Sequence, residues 1–366
     1  MIPQAAPFLR IARFRSEIDN AVSRVLSGNA YVLGPNVEAF EAEFASFCGV
    51  AHCVAVANGT DALALALRAL GVAPGDEVIT TALTAPATAQ AILQTGAAPR
   101  FVDVHPETRC IDPAAVADAI TSRTKAIVPV HIFGHPCDMP SLMELSEQNK
   151  LAVVEDCAQS VGATLNDRKL GSFGNAAAYS FYPTKNLGCV GDGGAVVTAD
   201  ANLAAKVRSL RNYGYGVADR VSRRIGFNSR LDEMQAAILR VLLPHVEASN
   251  RQRRKIADEY RARLPTGLAQ PPTADAGCVY HQFAVSCGDR DALMRHLARD
   301  DIATAVHYTP ALHHHPAFAS SDQHSLPQTE RLAATLLSLP IQPEVAAGRV
   351  EQITESIARF WTACAA

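Results

Sequence analysis

The 366-residue sequence lacks the features that would place it in a membrane or on nucleic acid. Its apolar runs have the length of strands and are broken by glycine, proline or charged residues, so no transmembrane helix is expected. The N-terminal residues have neither a basic start nor a long apolar stretch, which argues against a signal peptide. The 33 basic and 36 acidic residues give a net charge of −3 without a dominant basic block, so nucleic acid is not an expected partner.

Several sequence signatures of other protein classes are also missing. The nine cysteines are odd in number and contain no Cys-x-x-Cys, which is typical of reduced thiols in a cytoplasmic protein rather than of a disulfide framework. There is no Gly-x-Ser-x-Gly and no Walker loop. The run from His131 through His135 to Cys137 lacks a second pair of ligands and is interrupted by Pro136, so we expect no metal site.

The first two thirds of the chain alternate short β-rich runs with helical patterns. Most of these runs are continuous stretches of Val, Ile and Ala, as expected for strands that are covered on both faces. The predicted strands are Cys53–Ala57, Glu77–Thr80, Arg100–Val104, Ala126–Val130, Leu151–Glu155, Ala177–Phe181 and Ala195–Thr198. The alternation predicts an α/β domain with a mostly parallel seven-stranded sheet over residues 1–240.

Residues 241–366 are predicted to form a smaller C-terminal α+β domain. A long helical pattern runs from Asp232 to Leu264, and its basic stretch Asn250–Lys255 indicates a solvent-exposed helix face. A strand over Tyr280–Val285 and a helix over Arg290–Arg299 are predicted to follow.

A lysine and an aspartate carry the clearest chemical signal. Lys185 lies in Ser180-Phe-Tyr-Pro-Thr-Lys-Asn-Leu-Gly188, and Asp156 ends an apolar strand. An amine can form a Schiff base with an aldehyde, and a carboxylate that leaves an apolar strand needs a cationic partner. Pyridoxal 5′-phosphate (PLP) supplies both an aldehyde and a protonated pyridine nitrogen. The alternative is that Asp156 is an ordinary N-cap of a helix beginning near Ala158.

A strand-to-helix joint, Ala57-Asn-Gly-Thr-Asp61, is the predicted phosphate site. Gly59 permits a tight turn, and the amides of Thr60, Asp61 and Ala62 would then point outward at the positive end of a helix. Ser180 could add a hydroxyl on the same side. Gln159 could lie against the cofactor ring, although its spacing alone favours a surface glutamine.

These residues stand in motifs that resemble the DegT/DnrJ/StrS family of sugar-nucleotide aminotransferases, within the fold-type I PLP enzymes. The motifs run nearly end to end and include Asn58-Gly-Thr-Asp-Ala-Leu63, Glu155-Asp-Cys-Ala-Gln159, Ser180–Gly188, Gly226-Phe-Asn-Ser-Arg230 and His307-Tyr308. The resemblance implies a homodimer with its active site at the subunit interface. It also implies that an amino group passes from glutamate to a nucleotide-linked keto-deoxysugar, giving an amino sugar nucleotide.

The resemblance further implies a role for individual residues. Lys185 would bond to PLP and shuttle protons, Asp156 would bind the pyridine nitrogen, and Gln159 would lie near the ring oxygen. The phosphate would be held by Gly59, Thr60 and Ser180, with Asn228 reaching it from the neighbouring subunit. The sugar nucleotide would lie near Asn186, Leu187, Gly188, His307 and Tyr308.

One position departs from the family pattern and three alternatives stay open. Many relatives stack an aromatic residue on PLP where this chain has Ala85. This small residue, together with Gly191-Asp-Gly-Gly194 after the lysine, resembles members that aminate a 3-keto rather than a 4-keto sugar. A sugar-nucleotide dehydratase of the same family is one alternative, but that branch has histidine at the position of Lys185. A non-catalytic PLP-binding regulatory protein is another. An aminotransferase for amino acids alone would need a carboxylate-binding arginine, for which Arg230 is a candidate.

Overall fold

The computed structural model describes the chain except for residues 217–218, 267, 269–270, 272–276, 319–324 and 366. In chain order the strands are β1 His52–Val56, β2 Glu77–Thr81, β3 Ala98–Val102, β4 Thr124–Val128, β5 Ala152–Asp156, β6 Thr164–Leu165, β7 Arg168–Lys169, β8 Ala176–Ser180, β9 Gly194–Thr198, β10 Phe283–Ser286 and β11 Leu336–Leu339. The helices are α1 Pro7–Arg13, α2 Arg15–Leu26, α3 Pro35–Cys48, α4 Gly59–Ala69, α5 Pro86–Gln94, α6 Pro113–Ala119, α7 Met139–Asn149, α8 Ala201–Leu210, α9 Glu233–Leu242, α10 Val246–Arg263, α11 Arg290–Arg299, α12 Pro327–Thr335, α13 Pro343–Ala346 and α14 Val350–Ala365.

The large sheet has seven strands in the order β1-β9-β8-β5-β4-β2-β3. Strand β9 is antiparallel to both of its neighbours, and the remaining pairs are parallel. The mostly parallel seven-stranded sheet is therefore confirmed, and each strand lies within about two residues of its predicted bounds. Because β5 and β8 are parallel neighbours, their carboxyl ends, Asp156 and Ser180, lie at the same edge of the sheet.

Helices cover both faces of this sheet. On one face α3 begins at Pro35 and ends before Gly49, whose φ of 70° closes the helix. Its Phe44 is fully buried, with ring centroids 5.0 Å from Tyr179 and 5.2 Å from Phe181. On the other face α4 packs against the alternate residues of the same strands. Continuous apolar strands are thus explained by burial on both sides.

The structure corrects three details of the C-terminal predictions. The long helix is divided at Pro244, where a 3₁₀ turn separates α9 from α10, because proline lacks an amide hydrogen and clashes with the preceding turn. The basic stretch of α10 is not wholly exposed, since Asn250 and Arg253 are buried. Strand β10 begins at Phe283 rather than Tyr280, whose φ of 43° is incompatible with an extended strand.

A second apolar core joins α10, α11, α14, β10 and β11, and it includes Ile2 and Ala6 from the N-terminus. The division between residues 240 and 241 stays a prediction. The part of the chain that the structure describes contains no helix long and apolar enough to cross a membrane. The eight cysteines whose side chains are described are buried free thiols.

Candidate active site

A cavity of about 300 Å³ lies at the carboxyl edge of the parallel strands. Strand β5 ends there with Asp156, strand β8 ends there with Ser180, and α4 begins there with Gly59. The cavity is lined by all of the residues predicted to bind the cofactor within one chain: Gly59, Thr60, Asp156, Gln159, Ser180 and Lys185. Residues that are far apart in the sequence therefore converge on one site.

Asp156 is a buried carboxylate at the floor of the cavity. Its Oδ1 accepts the Ala158 amide at 3.1 Å, and its Oδ2 accepts the Thr88 hydroxyl at 2.9 Å. Burial raises the pKa of Asp156, and these two donors, together with the charge of Lys185, oppose that rise. The chain after Asp156 forms turns rather than a helix, so the N-cap interpretation is wrong. The carboxylate is suited to a cationic ligand.

Lys185 lies on the loop that follows β8, and its side chain lines the same cavity. Burial lowers the pKa of the Lys185 amine from 10.5 to about 8, and the carboxylate of Asp156 opposes this shift. The neutral amine is the form that attacks an aldehyde or accepts a proton. At neutral pH Lys185 is therefore a much better nucleophile and base than an exposed lysine.

The start of α4 offers fewer free amides than the sequence predicted. Asn58 caps the helix, with its Oδ1 accepting the Asp61 amide at 2.8 Å and its carbonyl accepting the Ala62 amide at 3.1 Å. The amides of Gly59 and Thr60 remain, because the first amides of a helix have no carbonyl four residues back within it. The amides left to bind an anion are thus two rather than three, and the Ser180 hydroxyl lines the same cavity, so binding of a phosphate there stays a prediction.

Gln159 is fixed in the cavity wall and is not a surface residue. Its Oε1 accepts the Phe133 amide at 2.6 Å, and its Nε2 donates to the Tyr308 hydroxyl at 2.9 Å. Burial, reinforced by the charge of Asp156, raises the pKa of Tyr308 to about 12. The neutral hydroxyl of Tyr308 therefore orients the amide of Gln159 in the wall of the cavity that contains Asp156.

Comparison with known proteins agrees with this geometry. The model of the DegT/DnrJ/EryC1/StrS aminotransferase family matches residues 13–358. The chain belongs to this family. It is 45% identical to the dTDP-3-amino-3,4,6-trideoxy-alpha-D-glucose transaminase of Streptomyces venezuelae, over 97% of this chain and 96% of the relative. It is also 45% identical to the UDP-N-acetyl-3-dehydro-alpha-D-glucosamine 3-aminotransferase of Acidithiobacillus ferrooxidans, over 98% and 97%.

A solved structure extends the similarity to the whole fold. The crystal structure of S. venezuelae DesV in complex with a ketimine intermediate superposes with a TM-score of 0.94 at 43% identity, covering 98% of both chains. The expected α/β aminotransferase fold is therefore confirmed for this member of the DegT/DnrJ/EryC1/StrS family.

The residues expected to touch the sugar nucleotide lie outside the described lining of the cavity. Leu187 is buried in the core, and Gly188 is buried within the lysine loop, the segment between β8 and β9 that carries Lys185. Asn186 is buried and donates to Asn250 Oδ1 at 2.9 Å. Within one chain these positions support the loop from inside, so their contact with a substrate stays a prediction.

His307 and Tyr308 are not among the described residues that line the cavity. His307 Nδ1 lies 2.9 Å from Ser338 Oγ, and burial, reinforced by the charge of Lys185, lowers the pKa of His307 to about 4. The imidazole is therefore neutral at physiological pH and can act as a hydrogen-bonding group there. Tyr308 contacts the cavity wall through Gln159.

Asn228 and Arg230 lie on the segment before α9 and are not among the described residues that line the cavity of their own chain. Asn228 is exposed and forms an antiparallel bridge with Asn212. Arg230 Nη1 donates to Asn212 Oδ1 at 3.2 Å, and its guanidinium stacks over the ring of Tyr213. Arg230 thus has structural partners, while the predicted role of Asn228 across a subunit interface stays a prediction.

Sequence reasoning missed several residues of the site. Thr88 binds Asp156, and Thr84 Oγ1 lies 3.1 Å from Thr88 Oγ1. Asp192 and Tyr182 also line the cavity. Thr84 and Thr88 follow the carboxyl end of β2, and ligand sites of such sheets lie at that edge, so this position was the available signal.

The motif His131–Cys137 has a structural role beneath the site. His131 Nε2 lies 3.1 Å from Glu155 Oε2, and its Nδ1 accepts the Cys137 amide at 3.1 Å. Glu155 also accepts the amides of Gly171, Phe173 and Gly174. The charged network therefore holds the end of β5 in place and leaves Asp156 facing the cavity.

The residues present fit PLP on two structural observations. A Cβ at Gly59 would lie 2.8 Å from the Cβ of Ser180, so only glycine lets the helix start and the serine close on one small anion. At the other end, a buried carboxylate with a raised pKa lies beside an amine with a lowered pKa. The amides, the amine and the carboxylate match the phosphate, the aldehyde and the pyridine nitrogen of PLP.

Proposed function

We propose that this protein is a PLP-dependent aminotransferase that transfers the amino group of glutamate to a nucleotide-linked keto-deoxysugar. The observation that carries this proposal is the convergence of Lys185, Asp156 and the start of α4 on one cavity. Membership of the DegT/DnrJ/EryC1/StrS family and similarity to two sugar-nucleotide aminotransferases support the substrate class.

When bound, PLP would act as an electron sink that allows the amino group to leave one carbon and join another. Lys185 would hold the cofactor by its aldehyde, and Asp156 would hold its pyridine nitrogen in the protonated form. The donor amino group would first displace Lys185 from the aldehyde. The freed Lys185 Nζ would then accept a proton from the carbon that bears the donor amino group, and in the second half-reaction it would return a proton to the sugar carbon that receives that group. The amine can do both near neutral pH because its pKa is about 8.

We further propose that the ketone lies at C3 of the sugar. Ala85 lines the cavity at the position where the family pattern has an aromatic ring, so the face of the cofactor would be more open here. Both relatives are named as enzymes that form a 3-amino sugar nucleotide, which supports this proposal. A 4-keto sugar is the competing substrate in the assay described below.

The enzyme is proposed to be a homodimer that shares its active sites. Exposed apolar side chains lie along the lysine loop and at the start of α9, among them Tyr182, Val190 and Met234. Val190 and Met234 belong to adjoining segments, because the Val190 amide donates to Gln235. Such a patch favours a protein partner, and a second copy would bring Asn228 toward the phosphate.

The free thiols also favour a reducing compartment, so we propose that the enzyme works in the cytoplasm.

Subunit sharing can be tested by mixing Lys185→Ala and Asn228→Ala subunits. If the proposal holds, some mixed dimers regain a complete site and recover activity. If mixing restores nothing while the subunits exchange freely, Asn228 does not act across the interface.

The proposed reaction is tested by absorption spectroscopy of the PLP-loaded protein. Glutamate alone should convert the near-visible band of the Lys185–PLP adduct to the shorter-wavelength band of pyridoxamine phosphate. Matched 3-keto and 4-keto sugar nucleotides should then restore the first band at different rates, with the 3-keto sugar faster. Lys185→Ala is the control and should show no adduct band. A band in the wild type that ignores every amino donor would favour the regulatory alternative.

A further inference from the structure

The loop that carries Lys185 is held from behind by one arginine of helix α1. Arg10 Nη1 donates to the carbonyl oxygens of Lys185 at 2.9 Å and Asn186 at 3.1 Å. Arg10 Nη2 donates to those of Pro183 at 2.8 Å and Gly188 at 3.1 Å. The two terminal nitrogens of a single guanidinium thus bind four carbonyls of one loop.

The loop needs such a partner because it lies between β8 and β9 without regular secondary structure. Buried carbonyl groups outside helices and sheets must find other donors. By turning toward Arg10, these carbonyls fix the peptide planes on both sides of Lys185, whose side chain lines the cavity. A Cβ at Gly188 would lie 2.7 Å from Arg10 Nη2 and 2.6 Å from the Pro183 oxygen, so the loop closes tightly around the guanidinium.

The segment before Arg10 is tied to the C-terminal part of the chain. Ile2 forms a parallel bridge with Ile302. The Ala6 amide donates to Gln342 Oε1 at 2.8 Å, and Gln342 Nε2 donates to the Ala6 carbonyl at 2.9 Å. One short stretch of chain therefore connects the C-terminal core to the carbonyls of the lysine loop.

We propose that Arg10 is a positioning residue for Lys185. By the same proposal, residues 2–10 couple the conformation of the lysine loop to the C-terminal unit that carries His307 and Tyr308. The proposal rests on the proposed role of Lys185. Arg10 is not among the described residues that line the cavity, so it acts through the loop. Lysine cannot replace it, because an ammonium lacks the planar fork that reaches carbonyls on both sides.

The guanidinium of arginine stays protonated in proteins, so Arg10 can donate hydrogen bonds from both terminal nitrogens. Burial lowers the pKa of its guanidinium, and the carboxylate of Glu344 opposes the shift. The helix also offers a matched control, because Arg13 is exposed and its guanidinium lies over the ring of Phe14 rather than on the lysine loop. Removing Arg13 changes the charge of α1 equally and leaves the four carbonyl contacts intact.

The test compares Arg10→Ala and Arg10→Lys with Arg13→Ala in PLP-saturated protein. We expect both Arg10 variants to lower kcat by about 10- to 100-fold, with the sugar KM changed less than about threefold, because misplacement of a reacting group mainly affects the chemical step. The pH midpoint of the Lys185–PLP absorption band should also move, and apo-protein should react more slowly with PLP. Arg13→Ala should match the wild type.

Chemical rescue separates positioning from stability. A small open cavity of about 50 Å³ adjoins Arg10, so free guanidinium at millimolar concentration should restore part of the kcat of Arg10→Ala. If fully loaded Arg10 variants keep the wild-type kcat and midpoint and lose only thermal stability, the proposal is overturned. If Arg10→Ala does not fold, the kcat and the pH midpoint of Arg10→Lys test the positioning role of Arg10 in its place.

The link to the C-terminal unit is tested by Gln342→Leu, which removes both hydrogen bonds to Ala6. We expect kcat to fall by about threefold, with a midpoint shift in the same direction as in the Arg10 variants. An unchanged Gln342→Leu enzyme would overturn the link but not the role of Arg10. A wild-type protein that forms no adduct at Lys185 would instead refute the proposed function itself.

Discussion

Replacing Thr88 with valine should weaken PLP binding through its effect on Asp156. The hydroxyl of Thr88 donates to Asp156 Oδ2 at 2.9 Å, and valine preserves the shape of the side chain while removing this donor. Asp156 keeps the Ala158 amide on its other oxygen. The carboxylate therefore loses one of the two hydrogen bonds that the described residues donate to it.

The size of the effect follows from the charge on Asp156. A hydrogen bond to a charged group contributes about 1.5–3 kcal/mol, and about 1.4 kcal/mol corresponds to one pKa unit. The variant should therefore raise the pKa of Asp156 further. Asp156 must be ionised when it holds a protonated pyridine nitrogen. At any pH where Asp156 is protonated in the apo-protein, PLP binding must therefore also remove that proton. The affinity loss should reach about 10- to 100-fold at low pH and disappear at high pH.

The assay is a titration of apo-protein with PLP, followed by the absorption of the adduct between about pH 5 and pH 9. The pH range over which PLP affinity falls on acidification should lie at higher pH in Thr88→Val than in the wild type. Thr84→Val is the matched control, because Thr84 contacts the Thr88 hydroxyl at 3.1 Å but does not contact Asp156. If Thr88→Val and the wild type have superimposable curves, the hydroxyl does not stabilise the carboxylate and this reasoning is refuted.

Three further predictions concern the cofactor and the core. Because the pKa of Lys185 is about 8, the rate at which the apo-protein reacts with PLP should rise about tenfold per pH unit below pH 8 and become constant above it. A rate that still rises beyond pH 10 would contradict the lowered pKa of Lys185. Gly59→Ala should weaken PLP binding at least about tenfold, since its Cβ would lie 2.8 Å from that of Ser180, whereas Gly288→Ala meets open space and should bind normally in the same titration. Phe44→Ala should lower the free energy of unfolding by about 3–5 kcal/mol in urea denaturation, because the ring is fully buried; a loss below about 1 kcal/mol would contradict close packing there.

The strands could be predicted because their signal is local. A run such as Leu151–Glu155 is apolar throughout, and only a strand covered on both faces buries such a run completely. The division of the long helix at Pro244 could also have been predicted from the sequence, since proline disrupts the hydrogen bonds of the preceding turn. The left-handed φ of Tyr280 was not, because no glycine or asparagine marks that position.

The sequence by itself determined the chemical groups of the site and the edge of the sheet where they meet: the amine of Lys185, the carboxylate of Asp156 and the helix start at Gly59. Only the tertiary structure decided which groups hold them. Thr88 lies beside Asp156 and Arg10 behind Lys185 because distant segments pack together, and their side chains carry no local signal of that contact. A motif therefore specifies chemistry through residue type, whereas pKa and orientation depend on neighbours that only the folded chain supplies.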